Sequence, residues 1–116
     1  MVEFGTLNAP VEFVVELSSG GEWHSEAIRL QPRDHLTITA LGNDRFYAGL
    51  FRRPYYVQYR AAAGGAFAFD FGDDRRSWTL DDTLEKDDDY YLVFRVGVFT
   101  PGTTTIKVRW LVKRPS

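Results

Sequence analysis

The chain has 116 residues, 44% of them hydrophobic and 26% charged, which fits one folded domain spanning residues 1–116 and excludes a largely disordered chain. Its 14 basic and 16 acidic side chains leave a net charge of −2, the wrong sign for a protein that grips phosphate backbones. There is no cysteine, so disulfides, thiolate zinc sites and cysteine nucleophiles are excluded.

No run of residues approaches the roughly 20 apolar positions of a membrane span. The opening Met1-Val2-Glu3-Phe4 has neither the basic region nor the apolar core of a secretory leader. If the chain is the whole gene product, this predicts a cytoplasmic protein.

In chain order, strand patterns follow one another. Val11, Phe13, Val15 and Leu17 alternate with polar neighbours, and a Ser18-Ser19-Gly20-Gly21 turn ends the run. Residues 23–30 form the next extended segment. A Gln31-Pro32-Arg33-Asp34 turn leads to Leu36, Ile38 and Ala40, which again recur with period two. Further strands are predicted over residues 45–51, 55–60, 66–71 and 76–80, each bounded by Gly, Pro, Asn or Asp. Residues 81–86 are the one place where a helical turn is expected.

Tyr90, Leu92, Phe94, Val96 and Val98 share one face of the next strand, with Tyr91, Val93, Arg95 and Phe99 opposite. Ile106, Val108, Trp110 and Val112 share a face of the last. Leu92, Phe94, Val108 and Trp110 are the predicted centre of the core. The fold class is therefore all-β, an antiparallel β-sandwich of about eight to nine strands.

Three stretches carry a family resemblance. Leu30-Gln31-Pro32-Arg33-Asp34-His35-Leu36-Thr37-Ile38 resembles an "L-x-x-G-D-x-L-x-V" step, with Arg33 where the pattern has glycine. Residues 46–51 followed by Tyr55-Tyr56-Val57-Gln58-Tyr59 look like a "V-x-V-x-L-x … N-Y-x-x-Y" stretch. Asp88-Asp89-Tyr90-Tyr91-Leu92-Val93-Phe94 resembles a "D-G-x-Y-Y-L-V-F" strand opening. Together they resemble the GOLD-like and pre-peptidase C-terminal sandwich domains over about residues 11–112. The resemblance implies a jelly-roll-like sandwich acting as a non-catalytic accessory or interaction module.

Candidate sites follow from chemistry that the core does not use. If Tyr55, Val57 and Tyr59 face inward on a strand, Tyr56 faces out. Tyr91 faces out by the same parity. Arg52 and Arg53 flank the tyrosines, and Trp78 lies near a strand end. Tyr, Trp and Arg are enriched where proteins bind one another. Tyr56, Tyr91, Arg52, Arg53 and Trp78 are thus the predicted binding residues, and the partner is another protein or a second copy of the chain. A carbohydrate-binding accessory domain using the same rings is the alternative.

Asp70, Asp73 and Asp74, and Asp81, Asp82 and residues 87–89, form acidic turns. Calcium is the cation such turns would take. Without an ordered D-x-D-x-D-G loop, and with Arg75 and Arg76 alongside, solvated turns are the favoured reading, and no metal or cofactor is predicted. Arginine outnumbers lysine eleven to three, but the net charge argues against nucleic acid. His24 and His35 belong to no nucleophile motif, so no enzymatic activity is predicted.

Overall fold

The computed structural model describes residues 4–61 and 70–115, the side chains of residues 70–75 excepted. Among the described residues, seven strands and one helix follow in the order β1 Val11–Ser18, β2 Glu22–His24, β3 Ile28–Leu30, β4 His35–Arg52, α1 Arg53–Ala61, β5 Asp70–Thr83, β6 Asp88–Arg95 and β7 Thr103–Lys113. All the strand pairs are antiparallel and belong to one sheet with the path β1-β7-β4-β6-β2; β3 also pairs with β6, and β5 with β4.

The sheet curls because β4 runs through both of its halves. The first part of β4, from His35 to Gly42, pairs with β7. The second part, from Tyr47 to Arg52, pairs with β6. On its other side β4 pairs with β5 along both parts, with register shifts between Leu41 and Ala48. Such irregularities bend a strand. Side-chain parity survives the bend, so Leu36, Ile38 and Ala40 point into the same core as Phe46, Ala48 and Leu50.

The two halves close over that core. Leu92, Phe94 and Trp110 are fully buried, and Val108 is nearly so, as the alternation predicted. Phe13 on β1 meets Trp23 on β2 with ring centroids 5.5 Å apart, joining the lips of the curled sheet. Phe4 packs edge-on against both Phe13 and Trp110, and its carbonyl accepts the Trp110 indole N–H.

The strand count corrects the expectation of eight or nine. Residues 35–41 and 45–51 are two parts of β4. Residues 23–30 divide into β2 and β3 at Ser25, whose buried hydroxyl accepts the Leu92 N–H in place of a ladder carbonyl. Residues 76–80 belong to β5, while the expected strand over 66–71 lies largely outside the described residues. The predicted helical turn at 81–86 is absent, because β5 continues to Thr83 and no helix follows it. Val98 lies beyond the end of β6 and is exposed.

The largest departure is α1. Residues 55–60 were expected to be a strand, and they form the centre of a nine-residue helix. Pro54 suits the first turn of a helix, where its missing N–H costs nothing, and Arg60 suits the last turn, next to the negative end of the helix dipole. Tyr56 and Tyr59, three apart, share the face toward the sheet.

Asp34 anchors the turn before β4. It is completely buried, yet it holds a two-point ion pair with Arg114, at 2.8 and 2.9 Å, and accepts the Gln31 N–H. Next to it Arg33 adopts a left-handed φ of 73°, a conformation uncommon for a residue other than glycine. Its N–H is bonded to the Leu84 carbonyl.

The Arg114 guanidinium holds the Asp34 carboxyl below the usual aspartate range, against the opposing effect of burial. A depressed folded value means the pair stabilises fully above the ordinary aspartate pKa of about 3.9 and is lost as pH falls through the lower folded value. Asp34→Ala should cost about 2 kcal/mol at neutral pH, because the Arg114 guanidinium and the Gln31 N–H both lose their acceptor. In urea titrations the wild-type advantage over this variant should shrink once the pH is below about 4.

Gly42 sits where β4 bends. A Cβ there would lie 2.7 Å from the Asp44 carbonyl oxygen and 2.8 Å from the Phe46 ring. Gly42→Ala should therefore destabilise by about 1–3 kcal/mol, the usual cost of overpacking, read as a lower urea midpoint at unchanged slope.

Candidate functional site

Helix α1 lies across the outer face of β6 and makes a second, smaller core there. Phe51, Tyr59 and Val93 are its buried members, with Tyr56 packed against them. The Phe51 and Tyr59 rings are 4.8 Å apart. This explains why Val93 is buried although it points away from the main core.

Around that core the helix is tied down by polar contacts. The Tyr59 hydroxyl donates to Glu22 Oε1 at 2.7 Å. The same oxygen lies 3.1 Å from His24 Nε2, and His24 Nδ1 lies 2.8 Å from the Tyr56 hydroxyl. Donor directions are all satisfied if Nε2 carries the imidazole proton and Tyr56 donates to Nδ1. Two residues of β2 thus hold two residues of α1.

Burial raises the Tyr59 phenol, and its hydrogen bond to Glu22 raises it further, to about 12. Glu22 moves the other way. Burial opposes its ionisation, but the Tyr59 and His24 hydrogen bonds and the charge of Arg95 outweigh burial and hold it below the usual glutamate range.

Two of the predicted binding residues come together in contact. Tyr56 and Tyr91 stack with centroids 3.9 Å apart and planes within 6°. Arg60 lies 5.9 Å from the Tyr56 ring centroid. Arg53 stands at the start of the helix, exposed. A groove of about 550 Å³ runs between Arg53, Tyr56, Val57, Arg60 and Tyr91. Neither Arg53 nor Arg60 makes an ion pair among the described residues. Val57 is 58% exposed at the groove's rim.

The other two predicted residues are placed differently. Arg52 is half-buried, bonded through Nε to Asp88 at 3.3 Å, with its guanidinium over the Tyr55 ring. It braces the end of β4 against β6. Trp78 was expected at the surface and is 1% exposed, packed edge-on against Phe94. Its parity on β5 matches Leu80, and both point inward. Trp78 is therefore a core residue and leaves the candidate site.

The acidic turns carry their own cations. Arg29 pairs with Asp87 at 2.6 Å and Asp89 at 3.6 Å. Asp81 bonds to His35 and Thr37 across the β4–β5 pairing, and these bonds lower its pKa. His35 also meets Thr83, giving a Thr–His–Asp string. It lies on an exposed stretch of sheet, and it acts as a cross-strand tie. The side chains of Asp70, Asp73 and Asp74 lie outside the described residues.

The sequence reading missed Glu22, His24 and Tyr59 as members of the site. The available signal was the helical spacing of Tyr56 and Tyr59 beyond Pro54, hidden by the equally regular alternation of Tyr55, Val57 and Tyr59.

No family model and no curated protein matches the chain. Among solved structures, it superposes on the crystal structure of Aeromonas hydrophila PliG, a periplasmic lysozyme inhibitor of g-type lysozyme. The TM-score is 0.66 at 11% identity, over 89% of this chain and 85% of that one. At that identity the likeness is one of fold. The neighbour's periplasmic location points away from the cytoplasmic location expected above, and that expectation is withdrawn.

Difference titration of wild type against Tyr59→Phe, followed by phenolate absorbance, should reveal one tyrosine ionising at about pH 12. The neutral phenol is the form that the fold favours. Its contribution is therefore full below the ordinary tyrosine pKa of about 10 and is lost as pH rises through the folded value. Tyr59→Phe should also lower stability by about 1 kcal/mol at neutral pH.

Proposed function

We propose that this domain is a non-enzymatic protein-binding module and that its partner is a lysozyme-class enzyme, engaged through the α1–β6 face. The observation that carries the reading is the fold shared with a lysozyme inhibitor over most of both chains. Fold alone does not give function, so the chemistry of the face matters.

That chemistry suits a protein. Tyr56 and Tyr91 present a rigid pair of rings, Val57 adds exposed apolar surface, and Arg53 and Arg60 offer charge at the rim. Aromatic and arginine side chains dominate binding hot spots. A sugar platform needs a free ring face. Here each tyrosine covers one face of the other and Arg60 stands over Tyr56, which leaves at most the second face of Tyr91 for a sugar. The protein reading is therefore preferred to the carbohydrate one. It goes with a location outside the cytoplasm, as for the periplasmic neighbour.

The test is lysis of a bacterial cell-wall suspension by g-type lysozyme. Equimolar addition of this protein should slow clearing, and light scattering should show a mixed complex. The double variant Arg53→Glu/Arg60→Glu should weaken the complex by about tenfold or more, and added salt should weaken the wild-type complex. Unchanged lysis, with no complex at micromolar concentrations, would remove the lysozyme partner.

A further inference from the structure

The end of the molecule beyond β6 has no use in the contacts described so far. Between β6 and β7 the chain runs Gly97-Val98-Phe99-Thr100-Pro101-Gly102. Phe99 is 96% exposed and Val98 69%, which makes them the most exposed large apolar side chains among the described residues. Most exposed apolar residues need no explanation. This pair differs because its backbone is held in place.

The turn between β1 and β2 backs the loop. Ser19 Oγ donates to the Val98 carbonyl at 2.6 Å, and the Gly20 N–H donates to the Gly97 carbonyl at 3.2 Å. The Gly97 carbonyl also accepts from the Thr100 N–H, closing a turn directly beneath Phe99. The Val96 N–H reaches the Gly21 carbonyl at 3.0 Å. Gly20 has a φ of 76°, and a Cβ there would meet Val98 Cγ1 at 3.4 Å, so the two loops fit closely. The result is a preorganised apolar tip, which loses little freedom on binding.

Its surroundings limit what it can fit. Residues 17–21 and 96–106 contain no Asp, Glu, Lys or Arg, in a chain that is 26% charged. The tip's own residues therefore offer a charged partner surface no counter-charge; Arg95 and the β4 bend with Asp44 and Arg45 lie at the same end of the sheet but outside the tip. A membrane is the less suitable partner as well. Stable attachment to a lipid surface takes a second signal besides one apolar insertion, and this tip has no basic residue while the chain's net charge is −2.

We infer that Phe99 and Val98 form a wedge that enters an uncharged, apolar cleft on the partner protein. The inference rests on the protein-binding reading above and adds a second contact to it. Val98 stands roughly 23 Å along the chain from Tyr91 at about 3.3 Å per strand residue. One partner covering the ordinary 800 Å² or so can reach both.

The experiment is calorimetric titration of g-type lysozyme with wild type, Phe99→Ser and Val14→Ser. Val14 is 56% exposed on β1, and its substitution removes exposed apolar surface away from the tip, though less of it than Phe99→Ser removes. All three should melt alike. Phe99→Ser should raise Kd about tenfold or more while Val14→Ser leaves it unchanged. Equal affinity for wild type and Phe99→Ser would overturn the wedge and leave the protein-binding reading standing. No binding by wild type would overturn the lysozyme reading, and the wedge with it. Wild-type binding to phosphatidylcholine vesicles that Phe99→Ser abolishes would replace the protein cleft with a lipid surface.

Discussion

One strand has to serve two halves of a sheet. β4 is 18 residues long and pairs in turn with β7 and β6 on one side, while β5 follows it on the other. If β4 were straight, β6 and β7 would lie side by side in a flat sheet and the core would be open to water. The bend at residues 42–46 turns the second half back over the first. Gly42 allows the bend because its missing side chain leaves room for the Asp44 carbonyl and the Phe46 ring. Register matters as much as curvature. A slip of one residue across the bend would turn Phe46, Ala48 and Leu50 out of the core that Leu36, Ile38 and Ala40 already occupy.

The surface features hang on that frame. α1 begins where β4 ends, so the bend decides that the helix meets β6 and not β7. The helix is then fixed twice, by the Phe51–Tyr59–Val93 cluster and by the Glu22–His24 contacts to Tyr59 and Tyr56. The tip carrying Phe99 is fixed by the β1–β2 turn. Both exposed elements are thus held by neighbours far away in sequence. A binding surface prepared in this way loses less entropy on association. The similarity to PliG at 11% identity fits a shared frame carrying different surface residues.

Much of the frame was legible in the sequence. Period-two alternation identified the inward faces of β1, β4, β6 and β7, because a half-buried strand imposes that pattern directly. The all-β class and the four central core residues followed from it. The joins between strands were not legible. Gly42-Asn43-Asp44 reads as a turn, yet here it is a bend inside one strand, and only the pairing partners distinguish the two. Residues 55–60 were misread because a short aromatic run satisfies both periods, and the tertiary contact of Tyr59 with Phe51 and Val93 decides between them. Of the candidate site, Tyr56 and Tyr91 were found by outward parity, on a premise that was wrong for Tyr56. Trp78 was lost because nearness to a strand end says nothing about which face it occupies. The role of His24 depends on a contact 32 residues away, which no local pattern contains.

Native-state hydrogen exchange resolved residue by residue tests the central claim most directly, that both parts of β4 belong to one cooperative core. The account predicts that amides of Leu36, Ile38 and Ala40 and those of Ala48 and Leu50 exchange only by global unfolding, with the same free energy and the same denaturant dependence. If one part of β4 opens independently of the other at a clearly lower free energy, the two halves are separate units and the account of the fold is wrong.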